Sequence, residues 1–194
     1  AQWVAKATLD ATSAPVGSGN LGAGTGATVG KLLGPERATK GGLGNALLEL
    51  DDGVLLGALA AVNAVGEVFD SVTGQTIAGV RATAPGSYES AVDLALGKLE
   101  SGALIGTNTT LGVIATNVQL SKAQLKKVAE MAHDGLARAV RPVHTLFDGD
   151  TIFAVSVTNA PKQSQEVTPQ LINKLGVAAA AAMQSAILNA VRST

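Results

Sequence analysis

The sequence contains no cysteine, and it is poor in histidine, aromatic residues and charge. The absence of cysteine excludes disulfide scaffolds, thiolate zinc sites and cysteine nucleophiles. Its two histidines, His133 and His144, leave little room for a histidine-based metal centre. Because 14 Lys and Arg residues face 15 Asp and Glu residues, the net charge of -1 gives no general attraction for phosphate backbones. We therefore expect no nucleic-acid partner.

Small residues take the place of the missing types, with 23 glycines and 34 alanines among 194 residues. A chain of this length can bury a sizeable core in one domain, and small side chains allow close packing of sheets and helices. We expect no segment with the length and apolarity of a membrane span, since the longest apolar helical stretch is 177–183. The N-terminus shows no signal-peptide pattern. The expectation is a soluble, cytoplasmic, single-domain protein without a membrane partner.

The order of the predicted elements indicates an α+β organisation. Strands come first, and a strand–helix–strand–helix series follows, which differs from a regular βαβ array. Ser121 with Gln124 predicts a capping box, and Thr168-Pro169 predicts a second helix start. The predicted elements are a helix within 1–12, an ordered glycine-rich loop over 15–45, a hairpin of 46–50 and 54–62, a loop over 70–88, helices over 90–99, 121–141 and 168–191, and strands over 111–116 and 151–157.

The glycine-rich loop invites a nucleotide-binding interpretation. Residues 22–27 fit the pattern G-x-G-x-x-A, and Gly30-Lys31 is similar to a P-loop. The dinucleotide pattern requires a preceding strand and a following helix, and the P-loop requires other residues at Thr25 and Leu32. The alternative is an ordered loop whose backbone passes close to a group that the sequence does not identify. Lys31 is then either a surface lysine or a desolvated lysine with a lowered pKa.

Residues 107–110, Thr-Asn-Thr-Thr, stand at the start of a predicted buried strand. One interpretation is a turn in which these side chains cap the backbone. The other is self-cleavage: the Thr109 hydroxyl attacks the Asn108 carbonyl, an ester forms by an N→O shift, and water releases an N-terminal threonine. The freed α-amine, with an ordinary pKa of about 8, then acts as general base for its own hydroxyl and needs no histidine.

Three further polar residues are candidates for a site. Asp148 and Asp150 form an Asp-x-Asp pattern before a strand, which is either a simple turn or a weak signal for calcium or magnesium. Asn63 interrupts an apolar strand, where it either ends the strand or points its amide at a substrate oxyanion. The residues alone leave these alternatives open.

Four segments, in the family's order, together resemble one protein family, and the match extends over nearly the whole chain. They are the glycine loop 22–31, the turn 62–66, the strand start 108–110 and the run 131–151. In these segments the sequence is similar to the self-processing L-aminopeptidase/D-esterase family, whose members include β-peptidyl aminopeptidases and the nylon-oligomer hydrolase.

The resemblance implies a four-layer αββα sandwich of the N-terminal-nucleophile-hydrolase kind. Relative to the family, the sequence lacks an upstream segment that carries a tyrosine in an Ile-Tyr-Asp context. The resemblance also implies self-cleavage between Asn108 and Thr109. Residues 1–108 would then be the C-terminal part of the α-piece, and residues 109–194 would be the β-piece.

By the same resemblance, each candidate residue acquires a role. Thr109 would be the nucleophile, Lys31 and Asn63 would assist proton transfer and polarise the carbonyl, and Asp148 and Asp150 would orient the site. The reaction would be amide hydrolysis through an acyl-enzyme ester, without metal or cofactor.

The partners implied are small peptides or nylon-like amide oligomers, the other piece of the precursor, and further copies in a tetramer or larger ring. The alternatives are an inactive or structural relative or fragment of the same fold, and a nucleotide-binding protein.

Overall fold

A mixed four-stranded sheet forms the centre of the computed structural model, which describes residues 2–97, 108–157 and 166–194. Two long helices lie against it, and shorter strands surround one end. In chain order the helices and strands of the described ranges are α1 (Gln2–Leu9), β1 (Thr28–Val29), β2 (Thr39–Lys40), β3 (Gly42–Glu49), β4 (Leu55–Asn63), β5 (Glu67–Phe69), β6 (Thr76–Ala78), β7 (Val80–Arg81), β8 (Tyr88–Glu89), α2 (Ala91–Leu96), β9 (Thr109–Thr116), α3 (Lys122–Ala137), β10 (Val140–Arg141), β11 (Thr151–Ser156) and α4 (Pro169–Arg192).

The central sheet has the strand order β11-β9-β4-β3. Strands β3, β4 and β9 pair antiparallel, whereas β11 pairs parallel to β9. Helix α3 connects β9 to β11, because a parallel neighbour needs a crossover connection. The α+β prediction is therefore confirmed, with one β-α-β unit inside it. The predicted strand 54–62 corresponds to β4, which lies between β3 and β9 in the sheet.

One face of the sheet forms the core with α3 and α4. Alternate residues of the strands point to this face, as the two-residue period of a strand requires. Leu56 and Ile114 are fully buried there, and they pack with Leu136 of α3 and with Leu175 and Met183 of α4 in one cluster. Burying one large apolar side chain stabilises the folded state by about 2 kcal/mol, so this layer is the main source of stability.

The opposite face of the sheet is apolar and open. Phe153 is 59% exposed and Leu47 is 69% exposed, and Leu111, Val113 and Val155 share this face. A continuous apolar sheet face normally packs against a further layer. In the described ranges, the four predicted layers are represented by one helical layer and the main sheet, together with the small peripheral sheets.

The glycine-rich segment differs from the predicted loop at its C-terminal end. Strand β3 begins at Gly42, four residues before the predicted hairpin strand, so two glycines lie inside a strand. Helix α4 explains them. A Cβ at Gly44 would lie 2.0 Å from the Ala186 carbonyl oxygen, and one at Gly42 would lie 2.5 Å from the Ala190 carbonyl oxygen. The strand needs glycine at both positions, because the backbone of the helix lies where a side chain would be.

The rest of the glycine loop is ordered, and the groups that its backbone approaches are other segments of the chain. Gly30 adopts a φ of 71°, and a Cβ there would lie 2.1 Å from the carbonyl carbon of Gly79. The loop continues into β1 and not into a helix. The helix that the nucleotide-binding interpretation requires is therefore missing at the place where the pattern demands it.

Two other predictions were wrong in detail. The segment 70–88 contains β6, β7 and the start of β8, although its Thr, Gly and Pro residues predict a loop. Helix α3 ends at Ala137 and not at residue 141. Val140 lies in β10, where it pairs with Val68 of β5, so the chain leaves the helix before it. Tertiary pairing thus overrides a helical pattern that continues to Val140.

The helix starts agree with the sequence. Ser121 and Gln124 form the reciprocal capping box, and the Thr168 hydroxyl accepts a hydrogen bond from the Leu171 amide. Ser90 caps α2 in the same way, but α2 ends at Leu96 inside the predicted range 90–99, of which 98–99 lie outside the described residues.

Helix α4 corrects one further expectation. By length and composition it is apolar enough to cross a membrane, contrary to the prediction that no segment is. An apolar 18-residue stretch of α4 is 56% buried inside the protein, against the sheet and α3. The same composition therefore serves a core helix, whose small and apolar side chains form the buried face.

Replacement of Gly44 by alanine tests the close approach of α4. We expect Gly44→Ala to lower the free energy of unfolding by about 1–3 kcal/mol, because the added methyl group must displace backbone. The matched control is Gly57→Ala in β4, where the nearest atoms lie 3.9 Å from an added Cβ. Urea unfolding of both variants checks this, and equal stabilities would contradict the packing described.

Candidate active site

The pairing of β4 with β9 brings Asn63 directly opposite Thr109 at one end of the sheet. Strand β9 starts at Thr109, two residues earlier than predicted, so Thr109 is the first residue of a central strand. A cleft of about 260 Å³ opens beside this pair. Its lining consists of Ala23, Gly26, Ala27, Ala61, Asn63, Thr109 and Leu111.

Lys31 lies behind Asn63 and is only 7% exposed. Its Nζ donates hydrogen bonds to the Asn63 side-chain oxygen at 2.6 Å and to the Asn63 backbone oxygen at 3.2 Å. Burial lowers the pKa of Lys31 from 10.5 to about 8, although the negative charge of Asp148 acts in the opposite direction. The expectation of a desolvated lysine with a lowered pKa is confirmed.

Asn63 is held from two sides. Its side-chain oxygen accepts the Lys31 hydrogen bond and a second one, at 3.0 Å, from the Thr28 amide in β1. The glycine loop, which includes β1, and the end of β4 are therefore joined through one amide side chain. This arrangement fixes the orientation of Asn63 beside Thr109.

Asp148 joins the turn after β4 to the loop before β11. One carboxylate oxygen accepts a hydrogen bond from the Val65 amide at 3.2 Å. The other accepts from the Thr145 amide at 3.2 Å and from the Thr145 hydroxyl at 2.7 Å. Both oxygens accept hydrogen bonds from protein groups, so Asp148 holds the two segments together and keeps a negative charge between them.

Asp150 holds the start of β9. One oxygen of its carboxylate, which is 3% exposed, accepts a hydrogen bond from the Thr110 amide at 2.8 Å. The other lies 3.0 Å from Nδ1 of His144 and 3.3 Å from its amide. Within the described ranges, no group of three or more acidic or histidine side chains is arranged to hold a metal ion. The carboxylates of both aspartates accept hydrogen bonds from protein groups.

The peptide group before Thr109 has close polar contacts. The Thr109 hydroxyl donates a hydrogen bond to the Asn108 carbonyl oxygen at 2.5 Å. The same oxygen accepts a hydrogen bond from the Gly149 amide at 2.9 Å. The Asn108 side-chain amide donates to the Phe147 carbonyl oxygen at 3.3 Å, and Asn108 is only 2% exposed. Thr107, which the sequence motif includes, lies outside the described residues.

Sequence reasoning missed two features of this site. The first is a histidine pair: Nδ1 of His133 lies 3.2 Å from Nε2 of His144, which in turn contacts Asp150. Burial, and then the neighbouring His144, lower the pKa of His133. Gly149 was counted only as part of a turn. His144, six residues before Asp150, was the available signal for the first feature, whereas nothing local pointed to Gly149.

The structure thus brings all five predicted site residues to the end of β4 and the start of β9. Thr109 and Asn63 are cross-strand partners, Lys31 contacts Asn63, and Asp148 and Asp150 hold the adjoining backbone.

This fold has a known counterpart. The structure of L-aminopeptidase D-Ala-esterase/amidase from Ochrobactrum anthropi, described as a variant of the Ntn-hydrolase fold, superposes with a TM-score of 0.67 over 98% of this chain and 49% of that chain, at 24% identity. The class of protein is therefore one with the N-terminal-nucleophile-hydrolase fold, as predicted.

The family follows from the sequence match. The model of Peptidase family S58 matches residues 1–194, and the chain belongs to that family. An uncharacterized aminopeptidase of Mycobacterium leprae is 39% identical over 95% of this chain and 51% of its own length. A 6-aminohexanoate-oligomer endohydrolase of Kocuria sp. is 31% identical over 90% of this chain and 50% of its own length. The chain spans about half the length of the curated relatives it matches.

The lowered pKa of Lys31 predicts a pH effect on stability. Between about pH 8 and 10.5 the unfolded chain binds a proton at Lys31 that the folded chain has released, so stability must rise with pH in this window. We expect the unfolding free energy of the wild type, relative to Lys31→Met, to increase from pH 7 to pH 10.5. Urea unfolding at several pH values measures this difference. A constant difference would show that Lys31 keeps an ordinary pKa.

Proposed function

We propose that this chain forms part of a self-processing amide hydrolase that cuts its own backbone between Asn108 and Thr109 and then uses Thr109 as an N-terminal nucleophile. The observation that carries the proposal is the 2.5 Å contact between the Thr109 hydroxyl and the Asn108 carbonyl oxygen, at the first residue of a central strand beside a cleft. Thr109 lies on the open face of the sheet, in the lining of this cleft.

The neighbouring residues have roles that fit this reaction. Lys31, with a pKa of about 8, is able to exchange a proton close to neutral pH, and it contacts Asn63 beside the nucleophile. Asn63 carries an amide that can donate to a developing oxyanion. Asp150 fixes the Thr110 amide and so holds the strand start, while Asp148 places negative charge near Lys31.

The proposed substrates are small peptides or linear amide oligomers. The described lining of the cleft consists of small or apolar side chains together with Asn63 and Thr109, and none of these lining residues is charged. Such a surface favours an uncharged aliphatic acyl group, because a charge buried without a partner is costly. The relatives named as an aminopeptidase and as a 6-aminohexanoate-oligomer endohydrolase act on bonds of this class by their names.

The proposal includes partners. The piece released by cleavage stays bound, because β4 of the first piece pairs with β9 of the second along eight residue pairs. We also propose assembly into a homo-oligomer and a cytoplasmic location. The second candidate is an inactive relative of the same fold, which has no need of cleavage before Thr109.

Self-cleavage is tested by N-terminal sequencing and intact mass of the denatured full translation product. We expect a fragment that begins Thr-Thr-Leu-Gly, and the 194 residues would divide into 108 and 86. Thr109→Ala removes the nucleophile and should yield one uncut chain, whereas Thr109→Ser keeps a hydroxyl and should still be cut. An uncut wild type would support the inactive relative.

Substrate choice is tested on the processed protein. We expect kcat/KM for an amide with a linear uncharged acyl group to exceed that for a matched amide with a charged acyl side chain by at least about tenfold, because the charged group must be desolvated without a partner. Steady-state assays of the two amides measure the ratio, with Thr109→Ala as the inactive control. Equal values would contradict an acyl site in this cleft.

A further inference from the structure

The Asn108 carbonyl is held in a defined orientation before any cleavage takes place. Asn108 forms an isolated parallel bridge to Asp148, which continues the direction of the β9–β11 pairing one step beyond Thr109. Its side-chain amide donates to the Phe147 carbonyl oxygen at 3.3 Å. The segment 147–149 therefore holds both the side chain and the backbone of Asn108.

The Gly149 amide points at the carbonyl oxygen that would gain negative charge during cleavage. Its N–H donates to the Asn108 oxygen at 2.9 Å, within the range in which backbone amides stabilise oxyanions. Asn108 is 2% exposed, so bulk water has little access to this residue. Gly149 itself is exposed, so its contribution follows from the distance and direction of its N–H and not from a dry environment.

The absence of a side chain at position 149 has a specific reason. A Cβ at Gly149 would lie 2.7 Å from Oγ1 of Thr109, which is closer than real Cβ atoms approach other heavy atoms. The φ of Gly149 lies outside the left-handed region, so its conformation does not require glycine. The space beside the threonine hydroxyl does.

We infer that Gly149 is a catalytic residue of the self-cleavage step: its N–H stabilises the oxyanion that forms on Asn108, and its missing side chain leaves room for the attacking hydroxyl of Thr109. This inference rests on the proposed function, since it assigns the donor for that reaction.

The step balances with groups that the chain itself supplies. The Thr109 Oγ forms a bond to the Asn108 carbonyl carbon, and the carbonyl π pair moves onto the oxygen that faces the Gly149 N–H. The hydroxyl proton passes to the Thr109 nitrogen. The carbon–nitrogen bond then breaks, the pair stays on nitrogen as the α-amine, and the carbonyl re-forms as an ester. Water hydrolyses the ester to the Asn108 carboxylic acid and restores the Thr109 hydroxyl.

The space requirement is tested with Gly149→Ala in the full translation product. Cell-free synthesis, acid quenching and intact mass give the rate of cleavage, with Gly57→Ala as the matched control because its added methyl group has room. We expect Gly57→Ala to be cut at the wild-type rate and Gly149→Ala about a hundredfold more slowly, because the added methyl group displaces the attacking hydroxyl. Equal rates for both variants would overturn the inference. A wild type that is never cut would instead refute the proposed function.

The donor itself is tested by placing glycolic acid at position 149 through nonsense suppression in the same reactions. This exchange replaces the N–H by oxygen and adds no bulk, and suppression with glycine is the control. Loss of one oxyanion donor predicts a fall in rate of about 10²–10³. A rate equal to that of the glycine control would overturn the assignment.

Hydroxylamine distinguishes a blocked first step from a blocked second step, because it cleaves esters but not backbone amides under mild conditions. We expect that it releases no additional fragment from Gly149→Ala, since the ester does not form. If hydroxylamine did release the fragment that begins at Thr109, then the block would lie in ester hydrolysis, and Gly149 would not be the donor for the attack. Limited proteolysis of the uncut variant, compared with Thr109→Ala, reports whether it is folded.

Discussion

The antiparallel pairing of Leu55–Asn63 with Thr109–Thr116 is the constraint on which the rest of the site depends. The register places Asn63 opposite Thr109, and one residue of slip would turn Thr109 toward the helices. The register is fixed by the core on the other face, where Leu56 and Ile114 are fully buried. Packing far from the site therefore decides which way the hydroxyl points.

Charged side chains around this pairing link separate segments of the chain. Lys31 connects the glycine loop to β4 through Asn63, whereas Asp148 and Asp150 connect the loop before β11 to the Val65 and Thr110 amides. A buried ion is tolerated only with hydrogen-bond partners. Loss of one partner from any of these contacts therefore lowers stability. Together the contacts hold the glycine loop, the end of β4, the start of β9 and the loop before β11 in one arrangement.

The sequence predicts those elements whose signals are local. The capping box at Ser121 and the Thr168-Pro169 start lie within one helical turn, and their helices begin where expected. The strand at Gly42 and Gly44 and the pairing of Val140 with Val68 depend on distant segments, so local patterns favoured a loop and a longer helix. For the site, the five residues came from a family resemblance together with residue chemistry, whereas the approach of Gly149 and of His144 depends on three-dimensional contacts alone.

In the short segment Asp148–Gly149–Asp150, the two aspartates make contacts through their side chains and the glycine between them makes a contact through its backbone. The side chains of the two aspartates accept hydrogen bonds from the Val65 and Thr110 amides, so they face the ends of β4 and β9. The glycine between them turns its N–H to the Asn108 oxygen and leaves space where a side chain would meet the Thr109 hydroxyl. A bulkier residue there would meet the Thr109 hydroxyl, beside the peptide bond between Asn108 and Thr109. The Asp-x-Asp pattern is therefore best understood as a support for the residue in its middle as much as for the two acids.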